Sequence, residues 1–282
     1  MSTSGCRAMP AILQGAYHHE RGISRFAWHR DGWQVSDLSP SLAVSDLFAG
    51  YGRMQVVRGV SLEVFPGELV GVLGRNGAGK TTALMAIGGV RRGVASGSVV
   101  LMGRESFGRR PHELAEAGLA VVPEGRRIFR EMTVADNLRL GAFVRRRASA
   151  SELAADLARV YGIFPVLEIY RERLAGQLSG GEQQMVAVGQ ALMARPRVLL
   201  LDEPAAGLSP AVATELYERV RYLAHEGIAV LVVEQAVERA LVFAERVYVM
   251  EQGRVVLEER AEHLDGEQLS NLIVRGSQPA GS

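Results

Sequence analysis

The sequence predicts an α/β fold organised around a mainly parallel sheet, and three observations carry that prediction. Short apolar runs at 68–74 (ELVGVLG), 198–204 (VLLLDEP), 228–235 (IAVLVVEQ) and 246–253 (RVYVMEQG) have the length and β-branched content of buried strands. Helical patterns fall between them, which is how parallel strands are connected. The first run also leads straight into the glycine-rich stretch GRNGAGKTT at 74–82 and then into a helical pattern, so strand, loop and helix follow without a break.

Along the chain, residues 1–41 hold both tryptophans and three of the six histidines (His18, His19, His29) without a clear period. They read as an irregular N-terminal extension, or as residues ahead of the working start. His18, His19 and Glu20 do not amount to a metal site, since ligand spacing from a second element is missing. From Leu42 the texture changes. LAVSDLFAGYG is followed by GVSLEVFPGE, where Val60, Leu62 and Val64 alternate until Pro66-Gly67 stops the run, as strands closed by a turn do. The middle is helical in pattern and rich in arginine. The expected division is an extension at 1–41, a domain at 42–265 with a helical subdomain at about 125–178, and a C-terminal tail at 266–282.

Composition bounds the function. A chain of 282 residues, 48% hydrophobic and 22% charged, can bury a sizeable core in one or two domains. Its formal net charge of +1 gives no reason to expect nucleic acid as a partner. The one cysteine, Cys6, excludes an intrachain disulfide and fits a reducing compartment. No apolar run approaches the roughly 18 residues needed to cross a bilayer, and the first residues lack a basic segment followed by an apolar one. Any membrane role therefore comes through a partner.

Residues 74–82 match G-x-x-x-x-G-K-[ST] through Gly74, Gly79, Lys80 and Thr81, with Arg75, Asn76, Gly77, Ala78 and Thr82 completing the stretch. Glycines let backbone N–H groups converge on phosphate oxygens, and the helix that follows adds the partial positive charge of its N-terminus. Lys80 is the only lysine among 32 basic residues. Its compact ammonium suits a place between β- and γ-phosphates, where the wider guanidinium fork of arginine does not fit a close cradle. A second apolar strand ends in Asp202 and Glu203. Asp202, with the Thr81 hydroxyl, suits Mg²⁺, and Glu203 suits a water aimed at the γ-phosphate of ATP. A strand-terminal Asp-Glu on its own is more often a solvated turn; the phosphate loop in the same chain reverses that.

LSGGEQQ, with Leu178, Ser179, Gly180, Gly181 and Glu182, opens a helix with a second phosphate-binding N-terminus, and one nucleotide does not need two. On these motifs the chain from Leu42 to the C-terminal region resembles the ATP-binding cassette (ABC) ATPases. The resemblance implies a P-loop NTPase core with an antiparallel β subdomain and a helical subdomain. It implies too that the signature of one subunit closes over ATP held by another, in a homodimer or a heterodimer with a sister ATPase. Tyr51 in GYG matches the aromatic that stacks on adenine in that family, although packing within a strand would suit it as well. GLSP at 207–210 matches the loop that crosses the dimer.

Two departures narrow the resemblance. Glu124, in VVPEGRRIFREMTVADNL, stands where the family usually has glutamine, and Gln235, in LVVEQAVERAL, stands where it usually has a switch histidine. Together with the stretch from Leu178 to Pro210 these look like the LivF-like ATPase subunits of high-affinity branched-chain amino acid importers, apart from Ala236, where that subgroup commonly has Asn. The resemblance implies two membrane permease subunits, a periplasmic binding protein acting indirectly, and a peripheral place on the cytoplasmic face of the inner membrane. The alternatives are an ABC ATPase for other amino acids, urea or amides, or lipopolysaccharide, and a non-transport ABC protein. The last usually carries a long coiled-coil insertion or two cassettes, and an intact Glu203 disfavours a scaffold without turnover. Arginines 126, 127, 130 and 145–147 flank the region that receives the membrane subunits in this family; a solvated basic face or phosphate and lipid headgroup contacts are both open for 145–147.

Overall fold

The computed structural model describes residues 39–275 except 91 and 94, together with 18–19, 22–23, 25–29 and 32–36. The chain divides into two units, 1–39 and 40–282. In the first, His18–His19 pairs antiparallel with Gly22–Ile23, and Arg25–His29 pairs with Gly32–Ser36, placing Phe26 opposite Val35 and Trp28 opposite Trp33. Within the stretch that the sequence suggests is irregular, these described residues are paired strands. The alternation Phe26, Trp28 and then Trp33, Val35 is a strand pattern, but each run is five residues long and the polar Arg30-Asp31 between them hides the period. Glu20 lies outside the described residues.

The second unit begins with two long antiparallel strands, β1 (Leu42–Gly52) and β2 (Met54–Val64), and a buried strand, β3 (Leu69–Leu73). Helix α1 (Lys80–Ile87) follows the phosphate loop; β4 (Ala95–Leu101), β5 (Arg104–Glu105), α2 (Pro111–Glu116) and β6 (Leu119–Val122) come next. Short helices α3 (Val134–Gly141), α4 (Ala150–Ile163) and α5 (Pro165–Ile169) form the arginine-rich middle, and α6 (Gly180–Leu192) starts at the signature. The chain closes with β7 (Val198–Asp202), α7 (Pro210–His225), β8 (Ala229–Glu234), α8 (Val237–Phe243), β9 (Arg246–Glu251), β10 (Arg254–Arg260) and α9 (Gly266–Arg275). Residues 266–275, expected as a tail, are helical, and Leu269 is buried in the core because the amphipathic spacing of Leu269 and Ile273 gives the helix a packing face.

Among the described residues the main sheet runs β6-β7-β8-β3-β9-β10, parallel except for the β9–β10 hairpin at its edge. Every residue of β3, β7 and β8 is buried, which is why their sequences read as unbroken apolar runs rather than alternating ones. Alternate residues feed two cores. Val70, Val72, Leu200 and Leu231 pack toward the antiparallel sheet β5-β4-β1-β2, whereas Leu69, Leu73, Leu199 and Val232 pack toward α6, α7 and α8.

A buried polar network joins the two sheets. Arg246 on β9 donates through Nε and Nη2 to Glu68, at 3.0 Å each, and through Nη2 to the Glu63 carbonyl on β2 (2.9 Å). The Tyr248 hydroxyl accepts from Arg246 Nη1 (2.8 Å) and from Glu63 N (3.1 Å). Among the described residues no helix is long and apolar enough to cross a membrane.

Candidate nucleotide site

The C-terminal ends of β3, β7 and β8 lie side by side in the sheet, so the loop after β3, the Asp202-Glu203 pair and Gln235 converge at one edge. The loop after β3 folds as it does because its glycines occupy conformations closed to other residues: Gly74 at φ +155° and Gly79 at φ +100°. A Cβ on Gly74 would sit 2.3 Å from the Met250 carbonyl oxygen.

Lys80, the first residue of α1, curls back over this loop. Its Nζ donates to the Gly74 carbonyl (2.7 Å) and the Arg75 carbonyl (3.1 Å), and only 5% of the residue is exposed. Burial lowers its pKa below the ordinary lysine value, while Glu203, Asp202 and Glu234 oppose the shift. Thr81 Oγ1 donates to Asp202 Oδ1 (3.0 Å). The second carboxylate oxygen, Oδ2, is buried with no hydrogen-bond partner among the described residues. Burial raises the Asp202 pKa, the Thr81 hydrogen bond works against it, and the charges of Glu203 and Glu124 add to it. A hydroxyl beside a desolvated carboxylate with an open oxygen fits a hard divalent cation such as Mg²⁺, which takes few protein ligands beside phosphate.

Glu203 sits at φ +44°, with its N–H donating to the Val233 carbonyl (3.0 Å), so its side chain is turned out of the strand line. Glu203 Oε1 accepts from Gln235 Nε2 at 2.5 Å. A cleft of about 570 Å³ brings together Tyr51, Asn76, Gly77, Gly79, Lys80, Thr81, Thr82, Glu124, Glu203 and Gln235. The Tyr51 hydroxyl and Thr82 Oγ1 are 3.4 Å apart. Arg75 is exposed beside this cleft without lining it, and Ala78 and Gly74 are buried beneath it.

The signature residues lie elsewhere. Leu178, Ser179, Gly180, Gly181 and Glu182 are absent from the lining of this cleft. Ser179 caps α6 in a reciprocal box: its N–H donates to Glu182 Oε2 (2.7 Å) and its Oγ accepts from Glu182 N (3.4 Å). Gln183 Nε2 donates to the Leu178 carbonyl (2.9 Å) and locks the turn. Ser179 is exposed. Among the second arginine run, Arg145 pairs with buried Asp156 and Arg146 lies over the Phe143 ring at 5.4 Å.

Sequence reasoning missed the brace under the loop. Gly253, in the β9–β10 turn, donates its N–H to the Ala78 carbonyl (2.9 Å) and accepts from Arg58 N (2.7 Å), and a Cβ there would sit 1.9 Å from the Val56 carbonyl oxygen. The signal was present as Gln252-Gly253, a turn dipeptide, but its contact with residue 78 needs the sheet order. Val56 also lines the cleft; it stands between the two runs that the sequence marks as strands, and the structure places it on β2.

The family model described as ABC transporter matches residues 57–206. The high-affinity branched-chain amino acid transport ATP-binding protein BraG of Pseudomonas aeruginosa is 41% identical over 231 residues, covering 82% of this chain and 96% of that protein. A nucleotide-free ATP-binding cassette from an ABC transporter superposes with a TM-score of 0.72 at 27% identity, covering 84% of this chain and 96% of that one. A bacterial ABC transporter cassette solved as a dimer has a TM-score of 0.69 at 25% identity, covering 78% and 98%.

Proposed function

The chain belongs to the ABC transporter ATPase family, hydrolysing ATP in step with transport, and on that premise we propose that it powers a branched-chain amino acid importer. The similarity to BraG, carried over nearly the whole of that protein, is the observation that supports this cargo. The chain works from the cytoplasmic face of the membrane with two permease subunits, and a periplasmic binding protein delivers the cargo to them rather than to this chain.

The site residues take these roles in the proposal. The 74–82 loop, with Thr82, holds the phosphates by backbone N–H groups, and Lys80 swings its ammonium from the loop carbonyls to the β- and γ-phosphates. Thr81 and Asp202 would hold Mg²⁺, which supplies positive charge against the phosphate oxygens. Glu203 takes the proton from a water as its oxygen bonds to the γ-phosphorus and the bond to the bridging oxygen of ADP breaks. Gln235 fixes the Glu203 carboxylate and orients that water. Tyr51 stacks on adenine, and Glu124, which lines the cleft and whose charge acts on Asp202, contributes to holding ATP.

The signature, capped and with Ser179 exposed outside the cleft, fits phosphate held by a second ATPase subunit, a copy or a sister chain, and the dimeric cassette supports that arrangement. The test uses Glu203→Gln, which keeps the cradle and removes the base. ATP-bound dimers of that variant are expected to accumulate on size-exclusion chromatography with light scattering, and Ser179→Arg added to it should abolish them. A dimer that survives Ser179→Arg refutes the signature contact. For the cargo, stimulation of the reconstituted complex by a binding protein loaded with leucine, isoleucine or valine is expected; equal turnover without the amino acid speaks against it.

A further inference from the structure

The opposite end of the parallel sheet carries a second concavity, of about 510 Å³, whose chemistry is set by arginine. It opens where β6 and β7 begin: Gly118 and Arg197 directly precede those strands, whereas Asp202 ends β7. At about 3.3 Å per strand residue, the length of β7 puts roughly 15 Å between this cavity and the carboxylates of the nucleotide cleft. The two share no lining residue.

Five guanidinium groups, on Arg104, Arg109, Arg145, Arg195 and Arg197, line the cavity with one carboxylate, Glu116. Two of them are held from behind. Buried Asp156 accepts from Arg195 Nε at 2.7 Å on one oxygen and from Arg145 Nη1 on the other, and Arg145 Nη1 also reaches the Met193 carbonyl (3.3 Å). The terminal nitrogens of Arg195 remain as donors without a partner among the described residues, on a side chain 47% exposed. Arg104, Arg109 and Arg197 make no ion pair or side-chain hydrogen bond among the described residues. Arg195 also sits at φ +53°, where glycine would be free of strain, so the backbone is held in a form that side chains rarely adopt.

A solvated basic face calls for neither the concavity nor a buried carboxylate aiming two forks. Helix dipoles do not account for it either. Cations near the C-terminal ends of α2 and α6 are favoured, which suits Arg197 beside Gly118 and Arg145 and Arg195 beside α6, but Arg104 belongs to β5, and Arg109 lies just before α2, at an end where a cation is disfavoured. Guanidinium forks match the paired oxygens of phosphate.

We propose that this cavity is a binding site for a phosphate-bearing anion, gripped by Arg104, Arg109, Arg195 and Arg197. The anion is either a free phosphate compound or the headgroup of an anionic lipid, and the experiment has an arm for each. Calorimetric titration with inorganic pyrophosphate, at constant ionic strength and without Mg²⁺, reads the first. Flotation with phosphatidylcholine vesicles, with and without phosphatidylglycerol, reads the second. Pyrophosphate also has the phosphate loop to bind, so the full-length Lys80→Ala protein is titrated in parallel; the cavity is the class of site that Lys80→Ala keeps.

In the Arg104→Gln/Arg109→Gln/Arg197→Gln variant that class, or the lipid-dependent flotation, is expected to weaken at least about tenfold, the loss of one charge-assisted hydrogen bond being enough for that. Basal ATP hydrolysis stays at the wild-type rate. Glu116→Gln, which leaves every arginine in place, is expected to tighten binding about threefold, the size of one charge contact at an exposed site, and so tests the cavity even if the triple variant folds poorly. A response in one arm that is lost in the triple variant names the source. No response in either arm, or responses that the triple variant and Glu116→Gln leave unchanged, overturns the assignment.

Discussion

Replacing Gln235 by alanine removes the side chain that holds the proposed general base. Its Nε2 donates to Glu203 Oε1 at 2.5 Å, and its own backbone is pinned, since Gln235 N donates to Glu234 Oε2 (3.1 Å) and that carboxylate pairs with Arg239. A hydrogen bond to a charged acceptor nets about 1.5–3 kcal/mol. Gln235 is exposed, so solvent recovers part of that, leaving a barrier increase of roughly 1.4–2.7 kcal/mol. At about 1.4 kcal/mol for each factor of ten, kcat falls on the order of 10- to 100-fold. The amide acts on the base and not on the 74–82 cradle, so nucleotide affinity should change little. Glutamine cannot take up a proton near neutral pH, so its contribution is geometric, and Gln235→His, which keeps a donor, should retain substantial activity. Steady-state hydrolysis by the reconstituted transporter, with titration of a non-hydrolysable ATP analogue, measures both quantities. Turnover in Gln235→Ala equal to wild type would refute the reasoning and leave Gln235 as a solvated strand end.

Other sites give sharper stability or affinity outcomes. Lys80→Arg should lower ATP affinity or turnover at least about tenfold, because a guanidinium cannot occupy a pocket that leaves Lys80 5% exposed; normal hydrolysis would sink this account of the lone lysine. Arg246→Met strips buried Glu68 of its bidentate partner and should cost about 3–5 kcal/mol by chemical denaturation, part of which returns in Arg246→Met/Glu68→Met. A loss below about 1 kcal/mol would mean the pair is not desolvated. Gly253→Ala drives a methyl into the Val56 carbonyl, and relieving that clash shifts the turn and draws its N–H away from the Ala78 carbonyl, so ATP analogue binding should weaken by about tenfold, roughly one lost hydrogen bond plus strain; unchanged affinity would show that the turn does not brace the loop.

What could be read from the sequence follows physical lines. β3, β7 and β8 announced themselves because strands covered on both faces must be apolar throughout, and the phosphate loop and Asp202-Glu203 did so because their chemistry admits few residue types. Gly253 did not, because a turn glycine has many possible reasons and its bond to Ala78 exists only once β9 lies beside β3. The paired strands within 18–36 were missed because runs of two and five residues show too little period. The arginine run 145–147 shows the limit most directly: adjacent residues of one type part company, Arg145 toward Asp156 and Arg146 over Phe143, so a charge run in sequence says nothing about which of its members is solvated.

The lone lysine belongs to the same argument. Elsewhere this chain uses arginine where a planar fork is needed, as Arg246 does against both oxygens of Glu68. At position 80 the acceptors are two successive carbonyls, on Gly74 and Arg75, that converge on a single point, which three tetrahedral N–H donors satisfy and a flat fork does not. The same ammonium can leave those carbonyls for phosphate without moving the helix that carries it, since four methylenes lie between the charge and the backbone. The composition marks the site because at this position reach and compactness are both required, and lysine alone among the cationic side chains has both.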